Sequence, residues 1–190
     1  MQNQNNKTAL LVMDLQNGII RHLGENLEEA IAPYQKAIKA ARENSIPVIF
    51  VRVGFSEGYP EISPNNKAFS AISKYGAMTV HDQATQIHEL VKPEANEPII
   101  TKYRVSAFAG STLEVILRAQ NIDTIVLSGI STSGVVLSTL REAADKDFKI
   151  TVLEDACFDP DAEVHRVLTE KVFPRQADVV SVDAWIETLK

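Results

Sequence analysis

Short, unbroken apolar runs alternate along this chain with longer amphipathic stretches. The runs cover residues 9–15, 47–53, 98–103, 124–130, 150–155 and 178–182, and Val, Ile and Leu dominate them. They do not alternate apolar with polar positions, so they predict strands buried on both faces, as in a parallel sheet. Between them, residues 27–44, 111–120, 132–146 and 162–172 place apolar side chains three and four positions apart, the spacing of amphipathic helices. Residues 184–190 predict one last short helix. Strands alternating with crossover helices make a three-layer α/β/α fold, a doubly wound and mainly parallel sheet of six strands. The alternation is interrupted once, by a long excursion over residues 54–97 that carries Gly58, Pro60, Pro64 and Gly76. An insertion of this length serves as a lid, a binding loop or an oligomer contact, and this one has room for two short helices.

Composition narrows the picture. A chain of 190 residues with 45% hydrophobic and 23% charged residues is long enough for a full core and too apolar for disorder, and a single domain over residues 1–190 is expected. The net charge of −6 comes with no basic run, which argues against nucleic acid or an anionic membrane as partner. Residues 1–7 are polar, and the first apolar run is too short for a secretory leader or a span. The single cysteine, Cys157, cannot form an internal disulfide, and a reducing cytoplasmic location is expected.

In open α/β sheets, ligands bind beyond the carboxyl ends of the strands. Asp14 ends the first strand, Lys102 ends the third, and the fourth runs into Gly129-Ile130-Ser131-Thr132-Ser133-Gly134-Val135-Val136. A lysine beside an aspartate tunes its protonation, which suits proton transfer. A small-residue turn opening a helix offers N–H groups to an oxyanion. Each feature also has a plainer reading: a capped strand end, a solvated lysine, a tight connection. Their coincidence at one sheet edge favours a site. The strand order stays open, because a flavodoxin-type order puts the first and third strands side by side and a Rossmann order separates them by one.

Three blocks, Asp14-Leu15-Gln16-Asn17, Lys102-Tyr103-Arg104 with Ser106-Ala107-Phe108, and Gly129-Ile130-Ser131-Thr132, resemble the signatures of the isochorismatase-like (cysteine hydrolase) superfamily. Asp155-Ala156-Cys157 and His165 resemble its fifth strand and following helix. The resemblance spans nearly the whole chain in order. It implies a hydrolase of small molecules with Asp14 and Lys102 as catalytic residues. It also implies an oxyanion turn at Ile130, Ser131 and Val135 with a cis Ile130–Ser131 peptide, and pocket walls from Gln16, Ile19, Phe55, Tyr103, Phe108 and Thr132, with Tyr59 also able to close from the excursion. Relatives of this fold assemble as dimers or tetramers, so a homo-oligomer is expected.

One departure changes the expected chemistry. The family's Gly-x-x-Thr-x-x-Cys, aligned on Gly129 and Thr132, puts Val135 where the nucleophilic cysteine stands. Valine carries neither lone pair nor acidic proton, so thiol catalysis is excluded from that position. Cys157 follows the fifth strand and reads as a small buried hydrophobe. Ser131, Thr132 and Ser133 have no histidine near them in sequence and read as caps. Isochorismatases proper carry glycine at the cysteine position and hydrolyse a vinyl ether by proton transfer. Vinyl ether or C–N hydrolysis through Asp14 and Lys102 therefore fits the resemblance, and a silent binding or assembly module is the alternative. The family's Asp-x-His metal pattern is missing from Val51-Arg52-Val53-Gly54-Phe55-Ser56, so no metal and no cofactor are expected. His22, His81, His88 and His165 are scattered, and His165 is expected to make a structural hydrogen bond.

Overall fold

A computed structural model describes residues 7–24 and 26–190; the polar start of the chain, read above as no leader, lies outside them but for Lys7. Six strands form one sheet, all parallel: β1 (Lys7–Met13), β2 (Val48–Val53), β3 (Ile99–Lys102), β4 (Ile122–Ile130), β5 (Lys149–Phe158) and β6 (Asp178–Val180). Their order is β3-β2-β1-β4-β5-β6, the Rossmann alternative. Chain direction across the sheet reverses between β1 and β4, so the crevice of such a fold opens at the carboxyl ends of these two strands.

The helices are α1 (Asn17–Ile20), α2 (Leu27–Glu43), α3 (Ile72–Tyr75), α4 (Leu113–Ala119), α5 (Leu137–Asp145), α6 (Ala162–Val167) and α7 (Val182–Glu187). The strands alternate between two cores. Ala9, Leu11 and Met13 of β1 face a core closed by α4 and α5 through Leu113, Leu117 and Leu140. Leu10 and Val12 face the opposite core, closed by Ile31, Tyr34 and Ile38 of α2 and Trp185 of α7. Burial on both faces is what the unbroken apolar runs require.

Some boundaries differ from the sequence pattern. The pattern at 132–146 is α5 preceded by a widened turn over Thr132–Val136, where the Val136 N–H reaches back to the Ser131 carbonyl. The pattern at 162–172 is α6 followed by a second widened segment, Leu168–Val172. Strand β5 continues beyond residue 155 because it bulges: Leu127 faces Val152, but Gly129 faces Cys157, and the extra residues leave Glu154 and Asp155 exposed. The excursion holds α3 and two single turns, Gln83–Thr85 and Glu89–Val91. It folds back over the sheet, pairing Phe55 with Thr79 and Gln16 with Ile87. Among the described residues, no helix is long and apolar enough to cross a membrane.

Candidate functional site

Asp14 leaves β1 in a left-handed conformation, φ 62°, with its N–H held by the Val51 carbonyl at 2.8 Å. Next to it, Gly129 lets β4 hug β1. A Cβ at 129 would sit 2.5 Å from the Met13 carbonyl oxygen, so any side chain there would push the two strand ends apart.

Lys102 comes from β3, two strands away. Neighbouring strands are about 4.8 Å apart, so β3 and β1 are separated by roughly 10 Å, a gap that a lysine and an aspartate span together. The lysine crosses the end of β2, and Lys102 Nζ lies 3.0 Å from Asp14 Oδ2. It also donates to the Arg104 carbonyl at 3.0 Å. Both side chains are buried, at 2% and 8% exposure. Burial pushes the Asp14 carboxyl above its usual value of 3.8, and the lysine opposes this without cancelling it. The second carboxylate oxygen, Asp14 Oδ1, is buried without a hydrogen-bond partner. A buried acceptor in that state carries a desolvation penalty of about 1–3 kcal/mol, which an N–H or O–H brought by a ligand or water would remove.

The turn after β4 follows the register in which Met13 faces Gly129, so it stands beside Asp14. The Ile130–Ser131 peptide is cis. Ser131 caps the turn by accepting the Gly134 N–H at 3.1 Å, and Asp159 takes the Ser133 N–H at 2.8 Å. Val135 is buried against the α4–α5 core. Thr132 is fully buried, with its hydroxyl 2.8 Å from His165 Nδ1. The sequence hides this contact, because the two residues lie 33 positions apart on either side of β5.

The expected pocket residues separate. Phe55 and Tyr103 come together beneath the excursion, with ring centroids 6.3 Å apart, and Tyr59 and Phe69 complete the cluster around Phe55. Gln16 is a strut. Its amide donates to the Val53 and Thr85 carbonyls at 2.8 and 3.0 Å and accepts the Val53 N–H at 2.8 Å, so it ties β1, β2 and the excursion together and has little left for a ligand. Ile19 packs on the α2 side of the sheet, away from Val135. Phe108 lies apart from that cluster. Its ring packs at a tilt against Phe148, with centroids 5.8 Å apart beside the amino end of β5, so it points into the core and away from the carboxyl edge. Cys157 is buried, and burial pushes its thiol up to about 12, which leaves it protonated and unreactive near neutrality.

Among the described residues, no three His, Cys, Asp or Glu side chains gather as a metal site would require. His22 and His81 are exposed, and His88 accepts the Leu90 N–H.

Known proteins resemble this chain along its length. The family model described as Isochorismatase domain matches residues 8–184. The isochorismatase family protein YecD of Escherichia coli O157:H7 is 35% identical over 184 residues, 96% of each chain. The ureidoacrylate amidohydrolase RutB of Pseudomonas savastanoi pv. phaseolicola is 32% identical over 172 residues, 79% of this chain and 70% of that one. Among solved structures, the N-carbamoylsarcosine amidase of Thermoplasma acidophilum superposes with a TM-score of 0.74 at 26% identity, covering 93% of this chain and 97% of that one.

Proposed function

This chain belongs to the isochorismatase family of hydrolases, and we propose that it hydrolyses a small molecule at a C–N or vinyl ether bond without a covalent thiol step. The observation that carries this reading is the buried, unpartnered Asp14 Oδ1, whose sister oxygen is held by Lys102. Lys102 orients the carboxylate and leaves one oxygen to handle a proton. On a C–N substrate, Asp14 takes a proton from water as the water oxygen adds to the carbonyl carbon. It returns that proton to the nitrogen as the C–N bond breaks. A carboxyl held above its ordinary value suits both halves of that cycle. The Ser133 and Gly134 N–H groups are already taken, so we assign those of Ser131, Thr132 and Val135 as donors to the developing oxyanion. Val135 replaces the nucleophile and fills its space with methyl groups. The amide-cleaving relatives favour C–N substrates.

A second reading, a binding module without turnover, is favoured by the near-complete burial of Asp14, Lys102 and Val135. The two separate in a panel of vinyl ethers, amides, carbamates and imides, scored in parallel for product and for thermal shift. Product from any class supports the hydrolase, whereas stabilisation without product across the panel supports the module.

A further inference from the structure

The turn over residues 131–136 is tied down along one flank by groups to which the proposed chemistry gives no task. The Thr132 hydroxyl pairs with His165 Nδ1 of α6 at 2.8 Å. Beside it, the Asp159 carboxylate takes the Ser133 N–H with one oxygen and the Asp161 N–H with the other, at 2.8 and 3.3 Å. Asp161 in turn caps α6 by accepting the Glu163 and Val164 N–H groups. Two consecutive residues of the turn are thus anchored to the segment that carries α6. The Thr132–His165 pair is the tie made between two side chains.

Thr132 has no exposed surface, so its hydroxyl needs a partner inside the protein. A β-branched side chain has few χ1 options, so fixing its oxygen also fixes the peptides on either side. The first of those peptides carries the Thr132 N–H, assigned above to a substrate oxygen, and the second carries the Ser133 N–H that Asp159 holds.

We infer that His165 is a positioning residue: through Thr132 it sets the orientation of the N–H groups with which the turn receives a substrate oxygen. The inference rests on the proposed reading of that turn as the floor of the reactive cleft. His165 touches no reacting atom in this account, and its effect passes through the hydroxyl. A donor displaced by 1 Å is enough to cost up to about a hundredfold in rate, so a single tie has leverage here.

The test needs no native substrate. Val135→Cys places a thiol on the same turn, where oriented N–H groups lower a thiol's pKa, and iodoacetamide reads that thiolate across pH 5–10. All variants also carry Cys157→Ser, so that the introduced thiol is alone. In this background, His165→Leu is expected to slow alkylation at pH 7 by about tenfold and to raise the midpoint of the pH–rate profile by about one unit. Thr132→Val must do the same, since it removes the tie from the other end and leaves the imidazole in place. His165→Asn keeps an amide, able to donate or accept, near where Nδ1 stood and is expected to stay within about threefold of the parent. If His165→Leu does not fold, the nearly isosteric Thr132→Val carries the test. Unchanged profiles in folded His165→Leu and Thr132→Val proteins overturn the inference, even if their melting temperatures drop. So does an asparagine variant as slow as the leucine one. An introduced thiol that is inert in every background also overturns it, since the turn would then not open onto a cleft. Absence of native turnover alone counts only against the hydrolase reading.

Discussion

Replacing Asp14 by leucine leaves the Lys102 ammonium with 2% side-chain exposure and no counter-charge. Replacing Lys102 by methionine strands the carboxylate in the same way, although Asp14 can then take up a proton. Two unit charges 3.0 Å apart attract by about 5 kcal/mol at an effective dielectric of about 20. Breaking one side of a buried pair destabilises by about 3–5 kcal/mol, chiefly because the remaining charge is desolvated. For Asp14→Leu we expect the upper part of that range, since the neutral Arg104 carbonyl that Lys102 keeps offsets little of the buried ammonium's desolvation. For Lys102→Met we expect the lower part, because Asp14 already resists ionisation. The double variant, Asp14→Leu with Lys102→Met, removes both charges and should recover most of the loss. Urea unfolding at pH 7 reads all three, and thermal unfolding should show single-variant drops of about 6–20 °C for a chain of this length. Single variants within about 1 kcal/mol of wild type would refute the buried pair. A double variant as unstable as the worse single one would refute the reasoning from desolvation.

Four further outcomes follow. Gly129→Ala should destabilise by about 1–3 kcal/mol or more in urea unfolding, because its methyl group meets the Met13 carbonyl; a wild-type midpoint would mean the strands separate easily. Gln16→Ala should lower stability by about 3 kcal/mol, since it leaves the Val53 N–H and two carbonyls without their partner. Cys157 should resist iodoacetamide at pH 8 in the native protein and react once unfolded, as mass spectrometry would show, because its thiol sits at about 12. Turnover should fall as pH drops through an apparent pKa above 3.8, since the base must be ionised and burial raises its folded value; an acid limb at or below 3.8 would contradict the assignment.

Much of this molecule is legible in its sequence, for identifiable reasons. Strands buried on both faces announce themselves as unbroken apolar runs, and the residue that closes such a run must lie at a sheet edge, which is how Asp14 and Lys102 stand out. Their contact was not legible, because no local signal reports that β2 lies between β1 and β3 or that a lysine bridges the gap. Phe108 shows the converse. The family resemblance implies a pocket wall there, but the direction of its side chain follows packing against Phe148, which is distant in sequence. Gln16 reads as a wall residue, but its amide is occupied by three backbone groups, two on Val53 and one on Thr85. His165 was expected to bond structurally, and its partner, Thr132, becomes visible only once α6 is laid beside the turn.

The proposed hydrolysis depends on Asp14 and uses no thiol. The most direct measurement is turnover of whichever panel substrate gives product, compared among wild type, Asp14→Asn and Cys157→Ser. The expected result is a loss of about a hundredfold or more for Asp14→Asn, with Cys157→Ser turning over at the wild-type rate. An active Asp14→Asn protein, or an inactive but folded Cys157→Ser protein, would contradict it.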